Sequence, residues 1–126
     1  MREIEFRGKS NGKWVYGYYV CIGDRHMIRI VDGEGSYCVK FFNSVDSKTV
    51  GQYTGLRDCN GQKIYEGDIV QTFDDYGSPH YEPVVYVEGC FIPLVSVEDG
   101  YNAIDRYYPD DFEVVGNVHD DPDFWK

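Results

Sequence analysis

Ile4 and Phe6 alternate with Glu3, Glu5 and Arg7, the period-two pattern of a strand with one wet face. Gly8 to Gly12 then reads as a turn. The next run, KWVYGYYVCI from Lys13, sets Trp14, Tyr16, Tyr18 and Val20 on one side of a strand and Val15, Tyr19 and Cys21 on the other, a pattern that allows cover on both faces. Gly17 sits inside it, and an interior glycine signals a bulge, a bend or a second backbone lying close above. Gly23-Asp24 reverses the chain into HMIRIV, where His26, Ile28 and Ile30 share a side. Asp32-Gly33-Glu34-Gly35 reverses it again into SYCVKFF, so these four segments make a meander. The polar stretch Asn43 to Lys48 leads out of it and lacks the length of an interdomain linker.

TVGQYTGL opens the second half, ahead of the densest stretch of the chain, GLRDCNGQKIYEGDIV at residues 55 to 70. Asn60-Gly61 is a hairpin cue, because a type I′ turn needs two residues that tolerate positive φ; Asp58 can accept backbone donors within that turn. Glu66-Gly67-Asp68 predicts a second reversal, with Gly67 left-handed and the Asp68 carboxylate satisfying loop N–H groups. Beyond it come IVQTF, a loop DDYGSPHYEP, a strand PVVYV, a Glu88-Gly89 turn and CFIPLV. Pro93 donates no ladder bond, so CFIPLV is expected at an edge or a bulge. A short helix over Asn102 to Tyr107 and a closing strand, FEVVGNV, complete the pattern. The expected fold is all-β, mainly antiparallel, with small barrel-like subdomains and at most one or two short helices. It forms a single domain over 1–126, divisible into β subdomains at about 1–48 and 49–126.

Composition supports a packed β domain: 17% of the residues are aromatic, and tyrosine with its β-branched neighbours suits a pleated, half-buried surface. A formal charge of −10 argues against general phosphate-backbone binding, which relies on lysine and arginine releasing condensed counterions. One basic patch stands apart, with Arg2, Arg7, Lys9 and Lys13 outnumbering Glu3 and Glu5. Cys21, Cys38, Cys59 and Cys90 are widely spaced, with no C-x-x-C pair and no apolar export segment, so four reduced thiols in a cytoplasmic protein are expected. No apolar stretch approaches a membrane span, and no membrane partner is expected.

Candidate chemistry is thin. Glu66 and Asp68 could pair for acid/base or metal work, yet the turns alone account for both residues. His26, His80 and His119 show no zinc spacing. Asp110, Asp111, Asp120, Asp121 and Asp123 match no calcium loop and read as a solvated acidic rim. There is no G-x-S-x-G elbow, and Gly33-Glu34-Gly35 lacks the rest of a dinucleotide loop. No catalytic, cofactor-binding or metal residue is assigned, and no cofactor is expected. Trp14, Tyr16, Tyr18, Tyr19 and Tyr53 could form a base-stacking platform, although aromatic residues at strand spacing more often fill a core or a subunit interface.

Three blocks carry a resemblance: Arg2-Glu3-Ile4-Glu5-Phe6-Arg7-Gly8 with Trp14-Val15-Tyr16-Gly17, VGQYTGLRDCNGQKIYEGDIV from Val50 to Val70, and EVVGNVHDDP from Glu113 to Pro122. Together they resemble the YopX family, small proteins of bacteriophages and prophages, mainly of Gram-positive hosts. The resemblance implies a cytosolic, largely β protein of phage-derived DNA and brings no established activity or catalytic set. The leading expectation is a noncatalytic accessory protein that acts by binding, as a homo-oligomer or with a host or phage protein. The alternatives are a nucleic-acid-binding small barrel, an acidic mimic of DNA that occupies a basic host protein, and an enzyme whose carboxylates or thiols gather in one pocket.

Overall fold

The computed structural model of the chain describes residues 4–30, 41–73, 76–87, 90–94 and 112–122. The predicted helix at Asn102 to Tyr107 and the turn at Asp32 to Gly35 lie outside them. Among the described residues there is no helix, and the strands form small open antiparallel sheets in place of the expected barrels. The chain divides into two compact units, Met1–Tyr53 and Thr54–Lys126.

The first unit contains β1 (Phe6–Ser10), β2 (Lys13–Ile22), β3 (Arg25–Ile30), β4 (Phe41–Ser44) and the first part of β5 (Asp46–Arg57), in the order β4-β3-β2-β1-β5. Two boundaries differ from expectation. β1 runs on through Ser10, so the reversal takes only Asn11 and Gly12, whose φ values of 52° and 80° are those of a type I′ turn. Asn43 to Lys48 is no exit segment. Asn43 and Ser44 belong to β4 and Asp46 to Lys48 to β5, leaving Val45 alone between them. The polar side chains serve the bend itself: Asp46 Oδ1 accepts from Lys48 N at 3.1 Å, while Thr49 Oγ1 donates to Asp46 O at 2.6 Å and accepts from Lys9 N at 2.8 Å.

Gly17 answers to the third reading of a strand glycine. A Cβ there would lie 2.1 Å from the carbonyl oxygen of Arg29, so the β3 backbone occupies the space a side chain would need. Ile28 is fully buried on the opposite strand, and Phe6 meets Tyr19 with ring centroids 5.7 Å apart.

The second unit holds the end of β5, then β6 (Lys63–Tyr65), β7 (Asp68–Phe73), β8 (Pro79–Pro83), β9 (Val85–Val87), β10 (Cys90–Ile92) and β11 (Glu113–Asn117). β7 is flanked by β11 and β8, and β9 pairs with β10. Ile64, Val70, Val84, Phe91 and Leu94 form its core, with Leu56, Phe112 and Val114 packed against them. In sequence, β8 reads as part of the loop DDYGSPHYEP. Its residues are almost all exposed, but its backbone pairs in register with β7 from Ile69↔Pro83 to Phe73↔Pro79, and its prolines sit at the two ends. β10 stops at Ile92, ahead of Pro93.

Candidate binding face of the first unit

Alternation along β2 and the register of its neighbours decide which side chains meet. Lys9 lies opposite Trp14, Arg7 opposite Tyr16, Arg29 opposite Tyr18, and Phe42 opposite Arg29. Directly opposed residues share a face of the sheet, so Trp14, Tyr16, Tyr18 and Phe42 stand among Arg7, Lys9 and Arg29 on one side. Tyr16, Tyr18 and Phe42 are 44%, 52% and 50% exposed, respectively. That side is therefore open, although the pattern allowed cover on both faces.

The first strand also departs from its simple amphipathic reading. Ile4 is exposed, whereas Arg7 is 6% exposed. The cause is Trp14: the Arg7 guanidinium carbon lies 4.3 Å from the centre of the Trp14 ring, and Lys9 Nζ lies 5.1 Å from it. A ring's negative face attracts both cations, and the flat guanidinium stacks on the indole. Two positive charges are thus held at a half-buried tryptophan beside a row of exposed rings.

The five proposed stacking residues divide. Trp14, Tyr16 and Tyr18 come together; Tyr53 is buried, and Tyr19 takes the other side of β2. There the Tyr19 hydroxyl bonds His26 Nδ1 at 2.5 Å, with the two rings stacked 7° from parallel. Burial, then the hydrogen bond and charge of Cys21, pushes the Tyr19 phenol above its ordinary value of 10. Phe42 and Arg29 were missed, because the strand pairings that bring them to β2 cannot be read from β2 alone.

Charge follows the division of the chain. Residues 1–53 contain eight Lys and Arg against six Asp and Glu, while residues 54–126 contain four against sixteen. The net −10 is the sum of +2 in the first unit and −12 in the second, so it says little about what the first unit can bind.

Two of the three acids of the 55–70 stretch, Asp58 and Asp68, are committed to backbone, while Glu66 is half-buried in the turn between β6 and β7. Asp58, 3% exposed, accepts from Asn60 N and Gln62 N through Oδ1 and from Val114 N through Oδ2, each at 2.9 Å. Asp68, also buried, accepts from Tyr65 N at 2.8 Å, and the Gly67-Asp68 backbone exchanges hydrogen bonds with Val84 at 2.8 and 2.7 Å. Gly67 adopts φ of 93°, as expected. The Asn60-Gly61 turn is of a different type. Only Gly61 has positive φ, and Gly61 N donates to Asp58 O while Asp58 N donates to Gln62 O, which makes a three-residue loop with glycine in the left-handed position. The buried Asp58 carboxylate selects that loop by collecting donors two and four residues ahead.

His26 lies in the first unit; His80 is exposed on β8 and His119 follows β11, half-buried beside Gly67. Among the described residues no three His, Cys, Asp or Glu side chains group as a metal site. Asp120 and Asp121 cap the turn after β11 by accepting from Asn117 Nδ2 at 2.9 Å and Asn117 N at 3.2 Å; Asp110, Asp111 and Asp123 lie outside the described residues. Cys21 and Cys59 are exposed free thiols. No described helix is long and apolar enough to cross a membrane.

The family model described as YopX protein matches residues 5–126. No match was found among curated proteins.

Proposed function

The chain belongs to the YopX family, and from that premise we propose that it is a noncatalytic accessory protein of a phage or prophage, which works in the bacterial cytoplasm by binding a partner on the β1–β4 face. The observation that carries this reading is the exposed row Tyr16, Tyr18 and Phe42 among Arg7, Lys9 and Arg29. Aromatic area left in water forgoes roughly 25 cal/mol for each Å² that a partner could cover, and contiguous patches of this kind are where partners attach. A photo-crosslinking phenylalanine analogue at position 18, in cells carrying the phage genes, tests it. The same analogue at position 76, almost fully exposed in the second unit, is the control. Discrete adducts from position 18 but not from 76 are expected; equal labelling from both positions refutes the face.

Self-association is a second reading, favoured by Val85, Tyr86, Val87 and Ile92, all exposed on the two-stranded β9–β10 sheet. A short sheet with apolar side chains exposed, and with no further strand paired to it among the described residues, is stabilised when a second copy covers it. Light scattering should then report a dimer or larger that Val87→Lys converts to monomer; a monomer at every concentration rejects it.

A further inference from the structure

We propose that the occupant of the β1–β4 face is single-stranded nucleic acid, its bases stacked on Tyr16, Tyr18 and Phe42 and its phosphates drawn to Lys9 and Arg29, with the buried Arg7 adding positive charge behind them; the proposal rests on the binding reading above and supplies its partner.

Three observations on the face converge. The first is the pairing of residue types. Proteins that hold single strands join a cationic track for the backbone with aromatic side chains for the bases, and here the two sets interleave by strand register. The second is spacing. Trp14, Tyr16 and Tyr18 are alternate residues of one strand, so their rings rise about 6.8 Å apart, twice the roughly 3.4 Å step between stacked bases of a duplex strand. Bases seated on successive rings must be separated from one another, as a single strand permits and a duplex resists. The third is local charge. The first unit has more cations than acids although the whole chain is strongly acidic; the one acid opposite a cation of the face in the β1–β5 register is Asp46, across from Lys9.

The chemistry also separates this occupant from an acidic peptide. Carboxylates would satisfy Lys9 and Arg29 but offer no stacking surface to three exposed rings, whereas each nucleotide brings an anion and a π-face together. Three exposed rings, Tyr16, Tyr18 and Phe42, provide for about three nucleotides, just below the roughly 4–16 of small single-strand-binding modules, while Trp14 holds the cations.

Fluorescence anisotropy with the full chain tests this, using labelled oligothymidine and oligouridine of about a dozen nucleotides, and a duplex of equal length, at low salt. Saturable single-strand binding is expected, weaker for the duplex, with log affinity falling about 0.7 for each phosphate contact per log unit of salt. Tyr18→Ala and Tyr16→Ala should each weaken binding about tenfold, Tyr18→Phe should preserve it, and Lys9→Ala should flatten the salt slope by about 0.7. Circular dichroism melts of each variant verify folding. Absence of saturable single-strand binding, equal affinity for duplex, or affinity indifferent to Tyr16 and Tyr18 overturns the proposal. If no oligonucleotide binds while position 18 crosslinks to a protein in cells, the nucleic-acid partner is wrong and the binding face stands; if position 18 also crosslinks nothing specific, the face itself is wrong.

Discussion

Gly67 holds φ of 93°, and a Cβ added to it would lie 3.4 Å from His119 Nε2, so the obstacle to a side chain there is the backbone angle more than the space. Gly67→Ala should cost about 1 kcal/mol or more, from the strain of positive φ, seen as a lower urea midpoint at unchanged slope; a midpoint equal to wild type would remove that assignment. Tyr19 makes a different kind of prediction, in pH. Its phenol is held above the usual 10 by burial first and by Cys21 second, and its hydroxyl is bonded to His26 Nδ1. A folded-state proton held more tightly than in the unfolded chain stabilises fully below the unfolded value and is lost as pH rises through the folded one. Stability should therefore decline above about pH 10, and the decline should be shallower in Tyr19→Phe. Identical slopes for the two proteins in alkaline urea melts would show that Tyr19 takes no part. Both residues were visible in the sequence, Gly67 by its turn and Tyr19 only as one ring in an aromatic run. Its neighbour His26 is the strand partner of Cys21, a relation set by the β2–β3 register.

At the level of elements, two Asn-Gly pairs that look alike in sequence do different work. Asn11 carries φ of 52° in a two-residue I′ turn, whereas Asn60 has no positive φ and precedes the left-handed Gly61. Asn11→Ala should cost about 1 kcal/mol, because a Cβ opposes the left-handed region and alanine lacks the short polar side chain that eases it. Asn60→Ala gives up one exposed hydrogen bond to Glu113 at 3.1 Å and should stay within about 0.5 kcal/mol of wild type. Parallel denaturant titrations of the two variants decide the matter, and equal losses would contradict the turn assignment. The same contrast explains what the sequence could and could not reveal. Alternation located β2, β3, β7 and β11, because each carries its own apolar period. It missed β8, an almost wholly exposed strand whose only reason to be extended is the backbone of β7. It placed Arg7 in water because no local pattern shows that Trp14, seven residues away, will fold over to meet it.

For the whole molecule, the single figure of −10 concealed the feature that bears most on function, since a sum cannot show where charges lie. With four cations against sixteen acids, the second unit repels itself; with eight against six, the first is nearly balanced. Self-repulsion opposes compactness, and salt relieves it as the Debye length contracts from about 30 Å at 0.01 M to about 8 Å at 0.15 M. Added sodium chloride should therefore slow amide exchange at buried Ile64 and Val70 of the second unit more than at Ile28 of the first. Single-strand affinity should move the opposite way over the same range, because cation–phosphate contacts lose their counterion-release advantage. A chain that grows more stable while it binds less cannot be explained by unfolding, so the pair of salt responses separates electrostatic recognition from damage to the fold. Exchange that responds equally to salt in both units would show that the acids are already neutralised locally, and the charge division would then have no energetic consequence.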